Sequence, residues 1–399
     1  MNGFPGKSEN IWDRIAHQVP CPIKNCDTGD DANQSYRLKY NIEPMVTIYH
    51  WDLPQKLQDL GGWSNPHIVD WFSDYSRIVF KLFGDRVKYW ITMNEPREVC
   101  VQGYSDGSLA PLLNITGYAE YLCTKNLLVA HAKTYHIYND EFRSTQGGTI
   151  GITLSAKWYE PENDDHMEVG QYAYPIFSKT GDFPPSMKKR IAENSEKQGF
   201  FRSRLPEFTA DEIELVRGSS DFLGINHYTT LIAYRNESVD GVYDSPSYRH
   251  DMGVIGYALS DCEDFHVVPW GFYKLLTKIK DDFDNPPVII AENGFSSQGG
   301  LNDDDRIDYY RSYLDAMLDA MEEGCDVRAY TAWSLMDNFE WLEGYSERFG
   351  LYEVDFKSPE KTRTPRKSAY IYKEMLRTRT LDFSYEPDMT KPMTIDDGL

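Results

Sequence analysis

Two stretches decide the fold of this 399-residue chain: Thr92-Met93-Asn94-Glu95-Pro96 and Ile289-Ile290-Ala291-Glu292-Asn293-Gly294. Each places a glutamate at the end of an apolar, β-branched run, which is the pattern of a buried strand. In a parallel (β/α) barrel the functional groups come from the C-terminal ends of different strands, because that rim is both rigid and open. The two stretches therefore predict that Glu95 and Glu292 face each other at the mouth of a barrel.

A pair of carboxyl groups at such a rim is typical of glycoside cleavage. One carboxyl is protonated and assists the leaving group, while the other is ionised and attacks or activates water. Taken alone, each stretch is also typical of a strand-to-loop turn. In that reading Glu95 caps the turn before Pro96, and Glu292 is a charge at the start of a helix.

The rest of the chain repeats a strand-then-helix pattern from residue 40 onward, which is typical of βα units around a parallel sheet. The predicted strands are Ile42–Tyr49, Val87–Met93, Thr149–Ala156, Asp221–Asn226, Pro287–Ala291 and Val327–Trp333. Apolar residues three and four apart predict helices over Pro66–Phe83, Ala119–Phe142, Trp270–Phe283 and Asp304–Glu323.

Six strands are two fewer than a closed (β/α)8 barrel uses. Met1–Asn41 is polar and supplies none, with helical turns only near Ile11–Ala16 and Tyr36–Tyr40. The α/β sheet is therefore either an incomplete barrel or an open sheet. No linker rich in Gly, Ser or Pro divides the chain, so we predict a single domain over residues 1–399.

Composition restricts the partners. The formal net charge of −22 repels nucleic acids and anionic membranes, so a neutral small molecule is the expected ligand. The 28 Tyr and 9 Trp suit a site that stacks on sugar rings, although a tyrosine-rich core gives the same composition. No apolar run is long enough to cross a membrane, and Met1–Glu9 lacks the regions of a signal peptide.

The six cysteines are too few for a disulfide scaffold at this length. Cys21 and Cys26 are spaced to close a small loop in an oxidising compartment, and their spacing does not predict a zinc site. The triplets that begin at Asn33, Asn114 and Asn236 match the acceptor pattern of a glycoprotein, which favours the same compartment.

Taken together, these motifs resemble glycoside hydrolase family 1, the β-glucosidase family, and most closely its insect members. The matching stretches, in order, are Glu9-Asn10-Ile11-Trp12-Asp13, Tyr49-His50-Trp51-Asp52-Leu53-Pro54, Gly61-Gly62-Trp63, Thr92-Met93-Asn94-Glu95-Pro96, Gly224-Ile225-Asn226-His227-Tyr228, Glu292-Asn293-Gly294 and Trp333-Ser334-Leu335-Met336-Asp337-Asn338-Phe339-Glu340-Trp341. The resemblance covers nearly the whole chain.

The resemblance implies a retaining enzyme of the (β/α)8 barrel type that cleaves β-D-glucosides without a metal or organic cofactor. It makes Glu95 the general acid/base and Glu292 the nucleophile, with Tyr228 as the phenol that hydrogen-bonds the nucleophile. It also implies an extracellular or secretory-pathway protein. The residues expected to hold the sugar are His50, Trp51, Asn94, Asn226, Trp333, Glu340 and Trp341.

The chain departs from the family pattern in two places. The first family strand, whose Gln holds the sugar, would precede Met1. The second, whose Arg hydrogen-bonds the nucleophile, would lie between Leu38 and Lys39. We therefore expect strands 1 and 2 to be absent, in agreement with the count of six, and the barrel to be truncated at the N-terminus and internally deleted near residues 38–39.

Other interpretations of these residues stay open. His50 and Trp51 also fit a core histidine beside a packed tryptophan, and Tyr228 fits a buried strand aromatic. Trp333–Trp341 fits a hydrophobic corner, although its interleaved polar residues favour an aromatic sugar pocket. Asn302–Asp305 is most simply the N-cap and first turn of the next helix.

An intact site would separate the pKa values of its two carboxyls. We expect the charge of Glu292 to keep Glu95 protonated, while Tyr228 stabilises the ionised form of Glu292.

Two functions follow: a β-glucosidase, or a catalytically impaired relative that is at most a weak sugar-binding or interaction protein. A nucleotide-binding open sheet has no Gly-rich phosphate loop to support it. The sequence leaves the oligomeric state open.

Overall fold

The computed structural model describes residues 9–26, 42–161, 170–235, 244–258, 267–297 and 299–393. Its strands are β1 (Met45–Tyr49), β2 (Tyr89–Asn94), β3 (Thr149–Ser155), β4 (Trp158–Pro161), β5 (Leu223–Asn226), β6 (Thr230–Arg235), β7 (Val254–Ala258), β8 (Val288–Asn293), β9 (Val327–Ala332), β10 (Tyr352–Val354) and β11 (Arg363–Pro365). The helical turn predicted near Tyr36–Tyr40 and the junction at Leu38 and Lys39 lie outside the described residues.

The helices largely alternate with the strands of the main sheet. They are α1 (Ile11–Ala16), α2 (Gln55–Gln58), α3 (Ile68–Phe83), α4 (Pro96–Glu98), α5 (Ala119–Ile137), α6 (Arg143–Gln146), α7 (Gly170–Phe177), α8 (Pro185–Lys197), α9 (Ala210–Val216), α10 (Tyr248–Met252), α11 (Pro269–Asp282), α12 (Asp304–Glu322) and α13 (Lys367–Thr378). The four long predicted helices correspond to α3, α5, α11 and α12, and the turn predicted near Ile11–Ala16 is α1.

The main sheet has six strands in the order β1-β2-β3-β5-β8-β9, and every pairing is parallel. These are the six predicted strands, and they form part of a (β/α)8 barrel. Their inner residues are buried: β5 is buried along its whole length, and β2 is buried beyond Tyr89. The prediction of an incomplete barrel with six strands is confirmed.

Two smaller sheets were not predicted. β4, β6 and β7 form one, and β10 pairs with β11 in the other. Two of these strands, β4 and β6, follow a predicted strand after only a few residues. Their apolar pattern therefore merges with that of the preceding strand, which explains why the sequence did not separate them.

The cysteine pairing differs from the expectation. Cys100 is bonded to Cys123, and Cys21 is a free thiol, so Cys21 and Cys26 do not close a loop. The paired residues lie in α5 and in the helical segment after α4, with a Cα–Cα distance of 5.5 Å that suits a disulfide. Tertiary packing, and not nearness in sequence, determines this pair.

The acidic run before α12 is only partly a helix start. Asp304 and Asp305 lie in the first turn, as predicted, but the Asp303 side chain makes no capping hydrogen bond. Asp303 is instead buried and accepts hydrogen bonds from Arg306 and Ser368.

No described helix is long and apolar enough to cross a membrane.

Candidate active site

The candidate site lies at the carboxyl ends of the parallel strands, where residues from five segments converge. Glu95 follows β2, Asn226 ends β5 and Glu292 is the penultimate residue of β8. His50 follows β1, and Trp333 follows β9. Because carboxyl ends of parallel strands share one edge, the topology alone brings these side chains to the same rim.

A close backbone approach joins β8 to the end of β9. A Cβ atom on Gly294 would lie 1.8 Å from the carbonyl oxygen of Trp333. Only glycine fits at this distance. The glycine two residues after Glu292 therefore allows the segment that carries Trp333 to lie against the end of β8.

Glu95 has a backbone conformation that directs it out of its strand. Its φ of 47° is in the left-handed region, which is unfavourable for a residue with a Cβ and is frequent at functional sites. Its backbone N–H donates to the carbonyl oxygen of Thr153 over 2.9 Å. The Asn226 amide donates to Glu95 Oε1 over 2.8 Å and to Asn94 Oδ1 over 3.1 Å.

Glu292 lies next to Asn226, which binds Glu95. The Tyr228 hydroxyl donates to Glu292 Oε2 over 2.6 Å, and Glu292 is paired in register with Asn226 across β5 and β8. Because Asn226 donates to Glu95, the two carboxyls border a single space. The structure brings Glu95, Glu292, Tyr228, Asn94 and Asn226 together at one rim.

The electrostatics of the two carboxyls differ from the expectation. Burial, and next the charge of Glu98, raise the pKa of Glu95 to about 7. Burial and the charge of Glu95 raise the pKa of Glu292 well above its ordinary value, although the hydrogen bond from Tyr228 lowers it. The expectation that Glu292 is the ionised member stays a prediction. Glu292 is only 9% exposed and faces the negative groups Glu95 and Glu340, which is why its pKa is raised as well.

Glu98 is a site residue that the sequence analysis missed. Its carboxyl is buried and accepts hydrogen bonds from Arg97 over 2.9 Å and from Gln102 over 2.6 Å. It lies one helical turn after Glu95, and this three-residue spacing is the signal that could have identified it. Its charge contributes to keeping Glu95 protonated, a role that the sequence analysis assigned to Glu292.

The predicted sugar-binding residues line the other side of the space. The Asn94 amide donates to His50 Nε2 over 3.1 Å, and Trp333 Nε1 donates to Glu340 Oε1 over 3.3 Å. Burial lowers the pKa of His50, so its ring is neutral. The His50 ring centroid lies 6.4 Å from that of Trp333 and 5.9 Å from that of Trp341. These residues give a pocket wall of aromatic faces and polar edges.

Trp51 is placed differently from its predicted partners. It is buried, and its Nε1 donates to the carbonyl oxygen of Ala110 over 2.9 Å, so this donor is already occupied. Its ring packs on Trp341 at 5.1 Å and on Trp12 at 5.7 Å. Trp12, which the sequence analysis did not assign to the site, supports this aromatic cluster from α1.

A buried ion pair holds the loop that carries Glu340 and Trp341. Arg366 donates to both carboxylate oxygens of Asp337, over 2.8 and 2.9 Å, and both side chains are fully buried. Asp337 also accepts from the backbone N–H groups of Gly350 and Val354. The loop after β9 is therefore fixed to α13 and β10 instead of being free in solvent.

The described residues contain no group of three or more His, Cys, Asp or Glu side chains arranged to hold a metal ion. The site presents carboxyls, a phenol and amides as its reactive and hydrogen-bonding groups.

Comparisons with known proteins identify the family of this chain. The sequence model of Glycosyl hydrolase family 1 matches residues 35–381. Myrosinase 1 of Brevicoryne brassicae is 38% identical, and the match covers 94% of each chain. That alignment runs over 437 positions, more than this chain's 399 residues, so the relative has residues that this chain lacks.

Two further relatives extend the comparison. Rat lactase/phlorizin hydrolase is 44% identical over 93% of this chain, which corresponds to only 23% of that longer protein. The crystal structure of the rice Os3BGlu6 β-glucosidase superposes with a TM-score of 0.81 at 32% identity, covering 92% of this chain and 93% of that one. This chain therefore shares its fold and much of its sequence with proteins that are named glycosidases.

Proposed function

This chain belongs to glycosyl hydrolase family 1, and we propose that its site is that of a retaining β-glucosidase that acts by two successive displacements. The observation that carries the proposal is that Asn226 donates to Glu95 and is paired in register with Glu292, which accepts from Tyr228. Two carboxyls that border one space in this way fit direct attack on the anomeric carbon by one of them and proton donation by the other.

In the first step the ionised Glu292 attacks the anomeric carbon, and Glu95 donates a proton to the leaving oxygen. In the second step Glu95, now ionised, takes a proton from water, which attacks the same carbon and releases Glu292. Tyr228 and Asn226 stabilise the negative charge of Glu292 in its free form. His50, Asn94, Glu340, Trp333 and Trp341 bind the sugar hydroxyls and the sugar face.

The substrate class that fits this site is a small, neutral β-glucoside. Neutral ligands suit a protein with a formal charge of −22.

We also propose a secretory or extracellular location. The buried disulfide between Cys100 and Cys123 supports it, because such bonds persist in oxidising compartments.

A second candidate function is a catalytically impaired relative, and one observation specifically favours it. The pKa of Glu292 is raised well above its ordinary value, and the groups that act on it most strongly include no Lys or Arg. A protonated carboxyl cannot attack, so this chain would then bind sugars weakly without cleaving them.

Hydrolysis of a chromogenic β-glucoside tests the two candidates. If the proposal is right, Glu292→Gln abolishes hydrolysis. Glu95→Gln slows substrates with a poor leaving group far more than activated aryl glucosides, because only the former need protonation. Hydrolysis that survives Glu292→Gln would exclude the proposed nucleophile. Glucose binding without detectable hydrolysis by the native chain would support the impaired relative.

A further inference from the structure

A chain of hydrogen bonds connects β9 and α12 to the candidate site. It begins at the Tyr330 hydroxyl in β9, which donates to Asn293 Oδ1 over 2.6 Å. The Asn293 amide donates to the hydroxyl of Tyr309 in α12 over 2.8 Å. The Tyr309 hydroxyl in turn donates to the backbone carbonyl oxygen of Tyr228 over 2.9 Å. The chain therefore ends on the residue whose phenol contacts Glu292.

The chemistry of the partners fixes the direction of each hydrogen bond. The carbonyl oxygen of His227 can only accept, so the part of the Asn293 side chain that faces it at 2.7 Å is the amide nitrogen. The carbonyl oxygen of Tyr228 can only accept as well, so the Tyr309 hydroxyl donates to it and accepts from Asn293. Asn293 and Tyr309 are completely buried, which shields these hydrogen bonds from solvent.

The loop after β5 is held at two successive residues. The backbone N–H of His227 donates to the carbonyl oxygen of Glu292 over 3.0 Å. The carbonyl oxygen of the next residue, Tyr228, accepts from Tyr309 over 2.9 Å and from the hydroxyl of Tyr313 over 3.4 Å. Tyr313 is the weaker donor, because its hydrogen bond is longer than the usual range. Tyr309 therefore makes the main side-chain contact that fixes the backbone of Tyr228.

We propose that Tyr309 is a positioning residue for the nucleophile, because it holds the Tyr228 backbone so that the phenol reaches Glu292. This inference rests on the proposed function, in which Glu292 is the nucleophile. The phenol oxygen is at the far end of its side chain, so a small rotation of the backbone moves it by a larger distance. Its hydrogen bond to Glu292 is 2.6 Å long, and such a bond weakens steeply as its angle departs from linear.

A purely structural role is the alternative. The rings of Tyr309 and Tyr313 stack with centroids 4.1 Å apart, and a buried tyrosine hydroxyl needs a partner in any protein core. The two roles predict different results when the Tyr309 hydroxyl is removed. A structural tyrosine affects only the stability of the protein, whereas a positioning tyrosine also affects the titration of Glu292.

The groups that act on Glu292 come from three parts of the fold. Burial raises the pKa of Glu292 most, and the charges of Glu95 after β2 and Glu340 in the loop after β9 raise it further. The hydrogen bond from Tyr228, after β5, lowers this pKa because it favours the ionised carboxylate. If Tyr309 holds that hydrogen bond in place, loss of the Tyr309 hydroxyl must raise the pKa of Glu292.

Tyr309→Phe tests the proposal, since it removes only the hydroxyl and keeps the ring that stacks on Tyr313. The pKa of Glu292 is measured by carbon NMR of the full chain with glutamate labelled at its side-chain carboxyl, and Glu292→Gln identifies the signal. Tyr309→Phe should raise this pKa, and Tyr228→Phe should raise it more. The double variant Tyr228→Phe/Tyr309→Phe should match Tyr228→Phe alone, because Tyr309 acts only through Tyr228.

Tyr138→Phe is the matched control. Tyr138 is also completely buried, and its hydroxyl accepts from the backbone N–H of Gly148, at the amino end of β3 and away from the rim. Both variants lose one buried hydrogen bond and should lower the denaturation midpoint. Only Tyr309→Phe should change the pKa of Glu292. It should also lower kcat for a chromogenic β-glucoside by about 3–10-fold with little change in KM.

An unchanged pKa of Glu292 in Tyr309→Phe overturns the positioning role and leaves a structural tyrosine. A double variant in which the two effects simply add does the same, since Tyr309 would then act without Tyr228. The pKa measurement needs no hydrolysis, so the two proposals fail separately. A native chain that cleaves no glucoside counts against the proposed function, while the role of Tyr309 is still decided by the pKa of Glu292.

Discussion

The inner and outer strands of the main sheet hold different parts of the candidate site. Glu95, Asn226 and Glu292 come from β2, β5 and β8, each of which is paired on both sides. His50 follows β1, and Trp333 and the loop to Trp341 follow β9. Each of these outer strands has one partner among the described strands. The carboxyls therefore lie on the best-supported strands, whereas much of the predicted sugar-binding wall is attached to the two open sides.

The open sides differ from the interior in burial as well. Leu318 and Met321 of α12 are about two-fifths exposed, and a cavity of about 330 Å³ lies between α12, β9 and α13. The comparison teaches that a sheet of six described strands is enough to bring the reacting groups together. The residues that position the sugar lie on its less supported outer strands, and positioning within about an ångström determines the rate.

The largest expected effect comes from closing the barrel. Inserting the two absent family strands should raise hydrolysis of a chromogenic β-glucoside by about 10³-fold or more. The inserted Arg and Gln would supply donors to the nucleophile and the sugar, and one such donor is typically worth about 10²–10³ in rate. Glu292→Gln in the restored chain is the control and should remove the gain. Equal activity of the native and restored chains would mean that six strands suffice.

The next effect concerns the anchored loop after β9. Asp337→Ala should destabilise the protein by about 3–5 kcal/mol, because it leaves the buried Arg366 without its carboxylate. Chemical denaturation measures the loss. The matched control is Glu343→Ala. Glu343 lies in the same loop, and its substitution breaks an ion pair with Lys24. That pair is about half exposed and should be worth less than about 1 kcal/mol. Similar losses in the two variants would contradict the assignment of the anchor.

The paired carboxyls of the inner strands predict an unusual pH dependence of stability. Glu95 and Glu292 both have raised pKa values in the folded state, mainly because of burial. Their stabilising contribution is complete below the unfolded pKa of about 4.3 and is lost as the pH rises through about 7 for Glu95, and higher still for Glu292. The free energy of unfolding should therefore fall by at least about 3 kcal/mol between pH 5 and pH 8.

Denaturation at the two pH values measures this slope. The double variant Glu95→Gln/Glu292→Gln should reduce it, since amides do not titrate. Part of the slope should remain, because burial also raises the pKa values of Glu120 and Glu340 to about 7. Leu318→Gln serves as the control and should keep the native slope, because it adds an exposed amide without removing a titrating group. Stability that rises from pH 5 to pH 8 in the native chain would show that the two carboxyls are ionised in the folded protein.

Much of this architecture could be predicted from the sequence, and the same comparison explains the limits. The six main strands were predicted because each is a short β-branched run that ends in polar residues, as at Thr92–Glu95. The pKa order could not be predicted, because it depends on Glu98 and Glu340 lying near the reacting carboxyls in space. The disulfide was missed for a similar reason, since Cys100 and Cys123 are 23 residues apart and meet only after α5 packs.

The smallest expected effect lies on the open side next to β9. Leu318→Gln should change the free energy of unfolding by less than about 0.5 kcal/mol, because Leu318 is already 43% exposed. The matched interior change is Ile290→Ala in β8, where the side chain is fully buried and the loss should be about 2–5 kcal/mol. A large loss for Leu318→Gln would mean that this side is covered in solution, either by the rest of the chain or by another molecule. The contrast between a supported interior and an open side would then have to be abandoned for β9.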